Sequence, residues 1–309
     1  MKPSVWILGE ALMDCVAQAN GDLRPLMGGS PFNLARAVAL RGGDGVSVGY
    51  INRLSVDPFG DQLRAQFARD GVSPLMSPSR WPTSLAVVQI KDGQPSYGFY
   101  REAVADRDYT AAEVLTLMQR AEPGVLHTGS LALVPPDHGK VISILQGAKA
   151  MGWTISIDVN LRPQMAPDLS EYLSAVKQVA AMADWLKASD EDLQLLGFAS
   201  PTRADAPRIA QPYTAQGVSR LALTFGASGA WLSVDGQTAE QDVPNITVID
   251  TVGAGDTFWG NCVADWAVRP DSAAQRVAKT LSQAMKAAAI NCTRAGCQPP
   301  RFDEILSKN

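Results

Sequence analysis

The stretch DTVGAGDTFWG, residues 250–260, combines the residue types needed for chemistry on a phosphate group. Gly253, Ala254 and Gly255 have almost no side chain, and the carboxylate of Asp256 follows them. A helix that begins near Asp256 leaves its first backbone N–H groups unpaired, and the aligned peptide dipoles add a partial positive charge there. Because small residues let an anion approach these N–H groups closely, the stretch predicts an anion site suited to phosphate.

The position of Asp256 indicates which reaction this site would carry out. A carboxylate beside a phosphate site repels the phosphate unless a hydroxyl group lies between the two. We therefore expect phosphoryl transfer, in which Asp256 accepts the proton of an attacking hydroxyl and the amides of 253–256 stabilise the phosphoryl group. Taken alone, Asp256 is also an ordinary helix N-cap, and glycine before a helix is common in turns. The continuous string is more specific than its parts.

Other nucleotide-binding motifs are missing from the sequence. The string Gly139-Lys140 is followed by Val141, so it does not complete G-x-x-x-x-G-K-[ST]. The turn after the first apolar run reads GEALMD, not G-x-G-x-x-G. No HRD or DFG set occurs. The sequence argues against a P-loop NTPase, a typical dinucleotide dehydrogenase and a protein kinase.

The composition excludes several further classes of protein. The chain has 309 residues, of which 46% are apolar, and a net charge of −4, with a pI of about 5.3. No basic face is implied, which argues against a nucleic-acid partner. The four cysteines include no C-x-x-C pair and there are two histidines, so we expect free thiols and no zinc site. We see no signal peptide and no run of ~20 apolar residues, and predict a soluble cytoplasmic protein with no membrane partner.

The apolar pattern predicts strands that alternate with helices, and therefore a parallel sheet covered on both faces. Ser30 is the predicted N-cap of the first helix, Pro31 its first residue and Gly42 its end. Strands are expected within 5–8, 46–51, 124–130, 153–160, 185–189 and 220–225. Further helices are expected at 59–70, 137–151, 170–183, 256–268 and 272–292.

A hairpin at 84–101, with Asp92-Gly93 in its turn, does not fit this alternation. Together with residues 15–27 it could form a small separate sheet that acts as a lid. Ligands of open α/β sheets bind beyond the carboxyl ends of the strands. Polar or glycine residues follow several predicted strands there: Glu10, Asp14, Asn160, Arg162, Lys187 and Gly226.

The motifs resemble those of the PfkB, or ribokinase-like, carbohydrate kinases. DTVGAGDTFWG resembles the C-terminal signature of that family, and MGGSPFNLARAVALRGG resembles its N-terminal signature. ILGEALMD, VDPFGDQLRAQFARDGV and LTFGASGAW are similar to other blocks of the family, so the resemblance extends along nearly the whole chain. YGFYREAVADRDYT and IDVNLRP most resemble the bacterial fructokinase branch.

The resemblance implies a fold and an activity. The fold is a ribokinase-like, Rossmann-type three-layer α/β/α sandwich, a single domain over 1–309 with a small β-sheet lid from about 12–30 and 84–107. The activity is transfer of the ATP γ-phosphate to a sugar hydroxyl, with Mg²⁺ and often K⁺ as cofactors. The lid implies a homodimer.

Functional residues follow from the matched motifs. The resemblance assigns Asp256 as the base, and Gly253, Ala254 and Gly255 as the anion hole, while Arg162 at a sheet end could steady phosphate oxygens. Asp14, Gly28, Gly29 and Asn33 fall on sugar-binding positions, and Arg101 would reach the substrate from the lid hairpin. The nucleotide region takes in Lys187, Ser189, Thr224, Gly226, Gly229 and Asn291. Asp250 and Val252 would hold the monovalent cation.

Several of these positions also have ordinary structural explanations. Asp14 suits a turn and Asn33 the first turn of a helix. Arg101 suits a strand edge, Arg162 a surface ion pair and Asn291 a solvated helix. The chain departs from the family in SDED (189–192), where Ser189 replaces Asn and Asp192 stands for the Glu tied to Mg²⁺, so Asp192 would act through water. Ser55 replaces a frequent glycine.

Fructose, with fructose 6-phosphate as product, is the expected substrate. The alternatives are 2-keto-3-deoxygluconate, which would want a cation such as Arg101 in the lid, and ribose or a riboside. A catalytically silent sugar-binding protein is a further alternative, and the intact base and anion hole argue against it. A redox enzyme is more distant still.

Overall fold

The computed structural model describes residues 2–18, 20–91, 94–270 and 272–307. Within these ranges the chain forms thirteen β-strands and ten α-helices. The strands are β1 (Ser4–Ile7), β2 (Leu12–Ala17), β3 (Leu23–Gly28), β4 (Ser47–Tyr50), β5 (Val72–Pro74), β6 (Ser84–Lys91), β7 (Gln94–Tyr100), β8 (Val125–Gly129), β9 (Thr154–Asp158), β10 (Trp185–Ser189), β11 (Arg220–Thr224), β12 (Ala230–Val234) and β13 (Gln237–Gln241). The helices are α1 (Ser30–Gly42), α2 (Pro58–Asp70), α3 (Ala111–Met118), α4 (His138–Ala150), α5 (Leu169–Ala180), α6 (Asp190–Leu195), α7 (Ala206–Ala215), α8 (Ala254–Val268), α9 (Ala274–Cys292) and α10 (Phe302–Leu306).

The larger sheet has nine strands in the order β13-β12-β11-β10-β9-β8-β1-β4-β5. The seven strands from β11 to β5 are parallel, but β12 and β13 are antiparallel to their neighbours. The six strands predicted from the sequence are parallel, as expected, whereas the antiparallel edge was not predicted. The links before β12 and before β13 are too short for the crossover that parallel strands need. Asp235 and Gly236, with φ of 49° and 83°, close the last hairpin as a typical Asp-Gly turn.

Helices cover both faces of this sheet, because side chains along a buried strand alternate between two apolar layers. On β8, Leu126 faces the layer that contains Ile144 of α4 and Tyr172 of α5. The preceding residue, Val125, faces the layer that contains Phe32 of α1 and Trp259 of α8. The predicted three-layer α/β/α arrangement is confirmed.

The smaller sheet has four strands in the order β3-β2-β6-β7. It is built from residues 12–28 and 84–100, as predicted, with β2 antiparallel to β3 and parallel to β6. The predicted turn at Asp92-Gly93 lies outside the described residues. Asp57, the N-cap of α2, ties the base of this sheet to the rest of the molecule by accepting hydrogen bonds from Gly60 N and from Thr83 N and Oγ1, all at 2.7 Å.

Two helix starts differ from the predictions in ways that matter for the site. The N-cap of α1 is Gly29, with φ of 104°, and Ser30 is the first helical residue. Ser30 is therefore not a cap. Helix α8 begins at Ala254 with Gly253 as its N-cap, which moves Asp256 into the first turn. None of the helices in the described part of the chain has the length and apolar character that a membrane span requires.

Candidate active site

Helix α8 presents free backbone donors at its start. Gly253 has φ of 73°, a conformation that favours glycine, and a Cβ there would collide with Cys297. The N–H of Ala254 donates to Thr251 O (3.1 Å). Within the described residues, the N–H groups of Gly255 and Asp256 have no acceptor. Two donors and the positive end of the helix dipole therefore meet at one place, which suits an anion.

Asp256 lies in the first turn of α8, directly beside these donors. It is 7% exposed, and each carboxylate oxygen accepts one hydrogen bond from α1. Ser30 Oγ donates to Oδ1 (2.7 Å) and Asn33 Nδ2 donates to Oδ2 (2.9 Å). Its side chain makes no helix cap, so the ordinary explanation of this aspartate as an N-cap does not hold.

The charge state of Asp256 depends on opposing effects. Burial raises the pKa of Asp256 above its ordinary value, while the hydrogen bonds from Ser30 and Asn33 and the charges of Lys187 and Arg162 act to lower it. A carboxylate held by two donors with further lone pairs free can accept the proton of a hydroxyl group.

Asp14, Gly28 and Gly29 lie close together, and Asp14 is near enough to Asp256 for the two charges to interact. Burial raises the pKa of Asp14 to about 6, with Arg162 lowering it and Asp256 raising it further. A Cβ on Gly28 would collide with the carboxylate of Asp14, and a Cβ on Gly29 would collide with the carbonyl of Glu10. The backbone contact and the positive φ at Gly29 require glycine there, whereas a side chain at Gly28 would have to displace the carboxylate of Asp14.

Arg101 lies just after β7 and is buried, at 9% exposed, so it is not a solvated residue of a strand edge. Its Nη2 donates to Asp106 Oδ2 (3.0 Å). Burial acts to lower the pKa of Arg101, but the negative charges of Asp106 and Glu10 outweigh the effect of burial, and the pKa is raised. Burial also raises the pKa of Glu10 to about 7, against the attraction of Arg101. Oε2 of Glu10 has no partner among the described residues.

Arg162 follows β9 and is half-buried, between the acids of the site. Its charge acts to lower the pKa of Glu10, Asp14 and Asp256. Its side-chain hydrogen bonds among the described residues all come from Nη1, to Asn160 O (3.2 Å), Asn160 Oδ1 (2.6 Å) and Leu161 O (2.9 Å). These bonds leave its other donors available to an anion.

Lys187 of β10 lies under the start of α8. It forms an ion pair with Asp158, whose two oxygens are 2.8 and 3.0 Å from Nζ, and a Cβ on Gly255 would lie 3.4 Å from the same Nζ. Burial disfavours the charged lysine, but Asp158, Asp192 and Asp256 outweigh it and raise the pKa of Lys187. A buried cation therefore lies next to the free N–H groups.

Ser189 and Asp192 form the N-terminal cap of α6. Oδ2 of Asp192 accepts from Ser189 N (2.8 Å) and Oγ (2.9 Å), and Oδ1 accepts from Leu161 N (2.7 Å). The described residues contain no group of three or more His, Cys, Asp or Glu that could hold a metal ion. A magnesium ion bound mainly by phosphates and water would fit here, with Asp192 reached through a water molecule, because Mg²⁺ is usually held by few protein ligands.

Thr224, Gly226 and Gly229 lie at the carboxyl end of β11. Gly226 and Gly229 have φ of 49° and 87°, which makes the tight turn into β12 possible. A Cβ on Gly226 would meet open space, whereas a Cβ on Gly229 would collide with Gln241 O. These three residues are not joined to Asp256 by any described hydrogen bond.

The segment before α8 is tied to the end of α9. Asp250 accepts from Val252 N (3.0 Å) and Gly296 N (2.8 Å). Asn291 donates to Val252 O (2.8 Å) and accepts from Gln298 N (2.8 Å). Asn291 is 0% exposed, so it is not a solvated helix residue, and its contact with an adenine base stays a prediction. The carboxylate and carbonyl oxygens of Asp250 and Val252 are the ligand types that a monovalent cation requires.

The structure thus brings together Asp256, the glycines of α8, Asn33, Asp14, Arg162 and Lys187, with Arg101 linked through Glu10. Sequence reasoning missed three members of the site. Glu10 was noted only as a polar residue after the first strand. Asn160 was noted only for its place at a sheet end. Ser30 was assigned to a helix cap. The sequence signal for Glu10 is an acidic residue that directly follows an apolar run.

Two free backbone N–H groups at a helix start, a buried carboxylate beside them and polar groups at the carboxyl ends of parallel strands are the features that phosphoryl transfer on an α/β fold requires. The model of the pfkB family of carbohydrate kinases matches residues 2–304. The chain is 31% identical over 288 residues to a fructokinase of Rhizobium leguminosarum bv. trifolii, with 90% of this chain and 84% of the relative covered. It is 30% identical over 276 residues to a fructokinase of Vibrio alginolyticus, with 86% and 87% covered.

Solved structures are similar over almost the whole chain. The crystal structure of fructokinase with bound ATP from Xylella fastidiosa has a TM-score of 0.83 and 29% identity, with 99% of this chain and 98% of that one covered. An aminoimidazole riboside kinase from Salmonella enterica has a TM-score of 0.81 at 24% identity, with 98% of each chain covered, and shares the fold. The chain belongs to the pfkB family of carbohydrate kinases.

Proposed function

We propose that this protein transfers the γ-phosphate of ATP to a hydroxyl group of fructose and releases fructose 6-phosphate and ADP. The observation that carries the proposal is the position of Asp256. Its buried carboxylate is held by Ser30 and Asn33 and lies beside the free backbone N–H groups of Gly255 and Asp256. The relatives named fructokinase and the ATP bound to the Xylella fastidiosa fructokinase support the nucleotide and the sugar.

The chemistry follows from charge. Asp256 accepts the proton as the sugar oxygen forms a bond to phosphorus, and the bond from phosphorus to the ADP oxygen breaks. The free N–H groups at the start of α8 and the buried ammonium of Lys187 lie where negative charge develops, which lowers the barrier. Arg162, with donors still available beyond Nη1, holds phosphate oxygens.

The sugar would lie against β2 and the start of α1. The carboxylate of Asp14 accepts hydrogen bonds from hydroxyls, and Gly28 and Gly29 leave the backbone open. Oδ1 of Asn33 is buried and has no partner among the described residues, so it can accept a further hydroxyl while Nδ2 stays on Asp256. A pyranose or furanose presents several hydroxyls, which suits this set of acceptors.

The nucleotide would lie over Lys187, Ser189 and the turn at Gly226 and Gly229, with Thr224 and Asn291 as further predicted contacts. When bound, Mg²⁺ would neutralise charge on the phosphates, with Asp192 as its predicted water-mediated ligand. Asp250 and Val252 would hold K⁺ close to the N-terminus of α8. These assignments rest on the family resemblance and the oxygen donors present.

A keto-acid substrate is a weaker alternative because Arg101 and Arg107, the cations that follow β7 of the smaller sheet, are already paired. Arg101 is paired with Asp106. Arg107 donates to Asp137 Oδ2 (2.5 Å) and to Arg101 O (2.6 Å). The carboxylate of 2-keto-3-deoxygluconate would have to displace a buried ion pair, which is costly. A neutral sugar such as fructose does not need this exchange.

The test is ADP release from ATP and Mg²⁺, with and without K⁺, against fructose, ribose, glucose, 2-keto-3-deoxygluconate and aminoimidazole riboside. Fructose should give the highest kcat/KM, and Asp256→Asn should lower kcat by about 10²-fold or more, the scale of a positioned base. Higher kcat/KM on another acceptor would replace the substrate and keep the mechanism. Fructose-induced thermal stabilisation without any ADP release would indicate a sugar-binding protein instead.

We further infer a cytoplasmic homodimer that pairs through the smaller sheet, which would act as a lid. Leu23 and Tyr100, on the two edge strands of this sheet, are 49% and 64% exposed, and pairing with a second copy would cover them. The four cysteines are unpaired and buried, which suits a reducing compartment. Light scattering of the purified protein measures the dimer, and Leu23→Glu with Tyr100→Glu should give a monomer.

A further inference from the structure

Asp256 is the last member of a chain of hydrogen bonds that begins at Arg162. Nη1 of Arg162 donates to Oδ1 of Asn160 (2.6 Å). Nδ2 of Asn160 donates to Oγ of Ser30 (2.8 Å). Oγ of Ser30 donates to Oδ1 of Asp256 (2.7 Å). The chain therefore connects three segments that are far apart in sequence, and it ends at one carboxylate oxygen.

The direction of this chain is fixed by the chemistry of its first member. A guanidinium group only donates, so Asn160 must turn its carbonyl oxygen to Arg162. The amide NH₂ of Asn160 then faces Ser30, whose oxygen accepts. The single proton of the Ser30 hydroxyl is left for Asp256. Every donor in the chain points toward the base, and the carboxylate form of Asp256 is the form that this arrangement stabilises.

The middle members are held rigidly. Asn160 has φ of 40°, a left-handed conformation that asparagine tolerates better than most residues, and Arg162 also bonds to its backbone oxygen. Ser30 is 7% exposed and is not the cap of α1. Its hydroxyl therefore does not cap the helix, and among the described residues it bonds to Asn160 and Asp256 alone.

We propose that Ser30 and Asn160 are positioning residues that fix Oδ1 of Asp256 and couple it to Arg162. The inference rests on the proposed function, in which Asp256 is the base and Arg162 holds phosphate. Arg162 can hold a phosphate oxygen through its donors other than Nη1, so Nη1 stays on Asn160 and the chain of hydrogen bonds to the carboxylate is kept.

Removal of the Ser30 hydroxyl should change the protonation of Asp256 because burial already raises the pKa of that carboxyl. Several titratable groups on other elements also act on Asp256 or respond to it. They are Lys187, Arg162, Asp14, Asp158 and Cys297. Ser30→Ala replaces none of these groups. A change in the pKa of Asp256 would therefore report the lost hydrogen bond from Ser30.

The first experiment compares kcat and KM for fructose across pH in wild type, Ser30→Ala and Ser30→Thr. Ser30→Ala should lower kcat by about 10-fold or more, the scale of a lost hydrogen bond to a charged group, and shift the acid limb of kcat/KM upward by about one pH unit. Ser30→Thr retains the hydroxyl and should restore most of both. An unchanged pH profile in Ser30→Ala would overturn the proposal.

A matched control separates positioning from stability. Ser156 is buried like Ser30, and its hydroxyl bonds to His127 Nδ1 (2.9 Å) and Trp259 Nε1 (3.2 Å) and not to Asp256. Ser156→Ala should lower the Tm and leave the acid limb in place. If Ser156→Ala shifts the pH profile as much as Ser30→Ala does, the role of Ser30 is merely structural.

A second measurement does not depend on turnover. The ¹³Cγ signals of labelled aspartates are titrated by NMR, and the Asp256 signal is assigned by its loss in Asp256→Asn. Its midpoint should lie at higher pH in Ser30→Ala than in wild type, and an equal midpoint would contradict the proposal even if fructose is not the substrate. If the wild type does not phosphorylate fructose, that result refutes only the proposed function.

The coupling through Asn160 is tested by a double-mutant cycle with this same midpoint as the readout. Asn160→Gly removes the side chain, and glycine tolerates the left-handed backbone. The double variant with Ser30→Ala should shift the Asp256 midpoint by less than the sum of the two single shifts, because Asn160 acts through Ser30. Additive shifts would overturn the coupling.

Discussion

Asn33 donates from Nδ2 to Oδ2 of Asp256 over 2.9 Å, although the two residues lie 223 positions apart. A residue expected to hold sugar therefore also holds Asp256, the proposed base. Its Oδ1 remains buried and unpaired within the described residues. The contact joins the first turn of α1 to the first turn of α8, so the two signature motifs of the family build one site rather than two adjoining ones.

Replacement of Asn33 by alanine should therefore affect both turnover and affinity. Asp256 loses one of its two donors, and the sugar loses an acceptor at Oδ1. We expect kcat/KM for fructose to fall by about 10- to 100-fold, since hydrogen bonds to charged groups are worth ~1.5–3 kcal/mol. Steady-state kinetics measure the split between kcat and KM.

Asn261→Ala is the matched control. Asn261 is a buried amide on α8, the helix of Asp256, and it donates to Thr257 O (2.9 Å) and not to Asp256. It should lose stability but keep its kinetic constants. Equal kinetic losses in the two variants would mean that any buried amide in this region has the same effect.

Arg101→Ala tests which sugars the site accepts. Arg101 is paired with Asp106 in a buried position, so removal of the guanidinium leaves an unpaired carboxylate and should destabilise the protein by about 3–5 kcal/mol. We expect similar factors of loss in kcat/KM for fructose and for 2-keto-3-deoxygluconate. A loss at least tenfold larger for the keto acid would instead show that Arg101 binds its carboxylate.

Much of this site could be predicted from short motifs, because glycine, a following acid and a helix start are adjacent in sequence. The link from Asn160 to Ser30 spans 130 residues, and no local pattern reports such a contact. Ser30 was misassigned because serine before a helix is usually a cap, yet Gly29 takes that position. The antiparallel edge was missed although Asp235-Gly236 marks a hairpin. The alternation of apolar runs predicted six of the other strands, but not the three-residue edge strand β5.

Glu10→Gln should make the protein less sensitive to rising pH. Burial raises the pKa of Glu10 from 4.5 to about 7, so the folded state keeps a proton that the unfolded state releases. Below about pH 4.5 both states are protonated and there is no penalty. Between about pH 4.5 and 7 stability is lost as pH rises, by about 3 kcal/mol at most, and above this window the loss is constant.

Thermal unfolding of wild type and Glu10→Gln at pH 4.5, 6 and 8 measures this effect. The Tm of the variant minus that of wild type should rise with pH. The difference in Tm is needed because the pKa values of Asp14 and Asp158 are also raised to about 6, so these residues titrate in the same pH window. Their contributions are the same in wild type and variant and cancel in the difference. A difference that is constant or falls with pH would show that Glu10 is ionised in the folded protein.

Gly253→Ala should damage the anion site by two separable effects. The residue would occupy φ of 73°, which costs a residue with a side chain about 1–2 kcal/mol, and its Cβ would collide with Cys297. Gly71→Ala carries a comparable φ of 85° at the end of α2 with nothing within 4 Å of the new Cβ. Both variants should lose stability, but only Gly253→Ala should lower kcat, by about 10-fold or more, because displaced N–H groups no longer face the phosphoryl group. Normal turnover in Gly253→Ala would remove the start of α8 from catalysis.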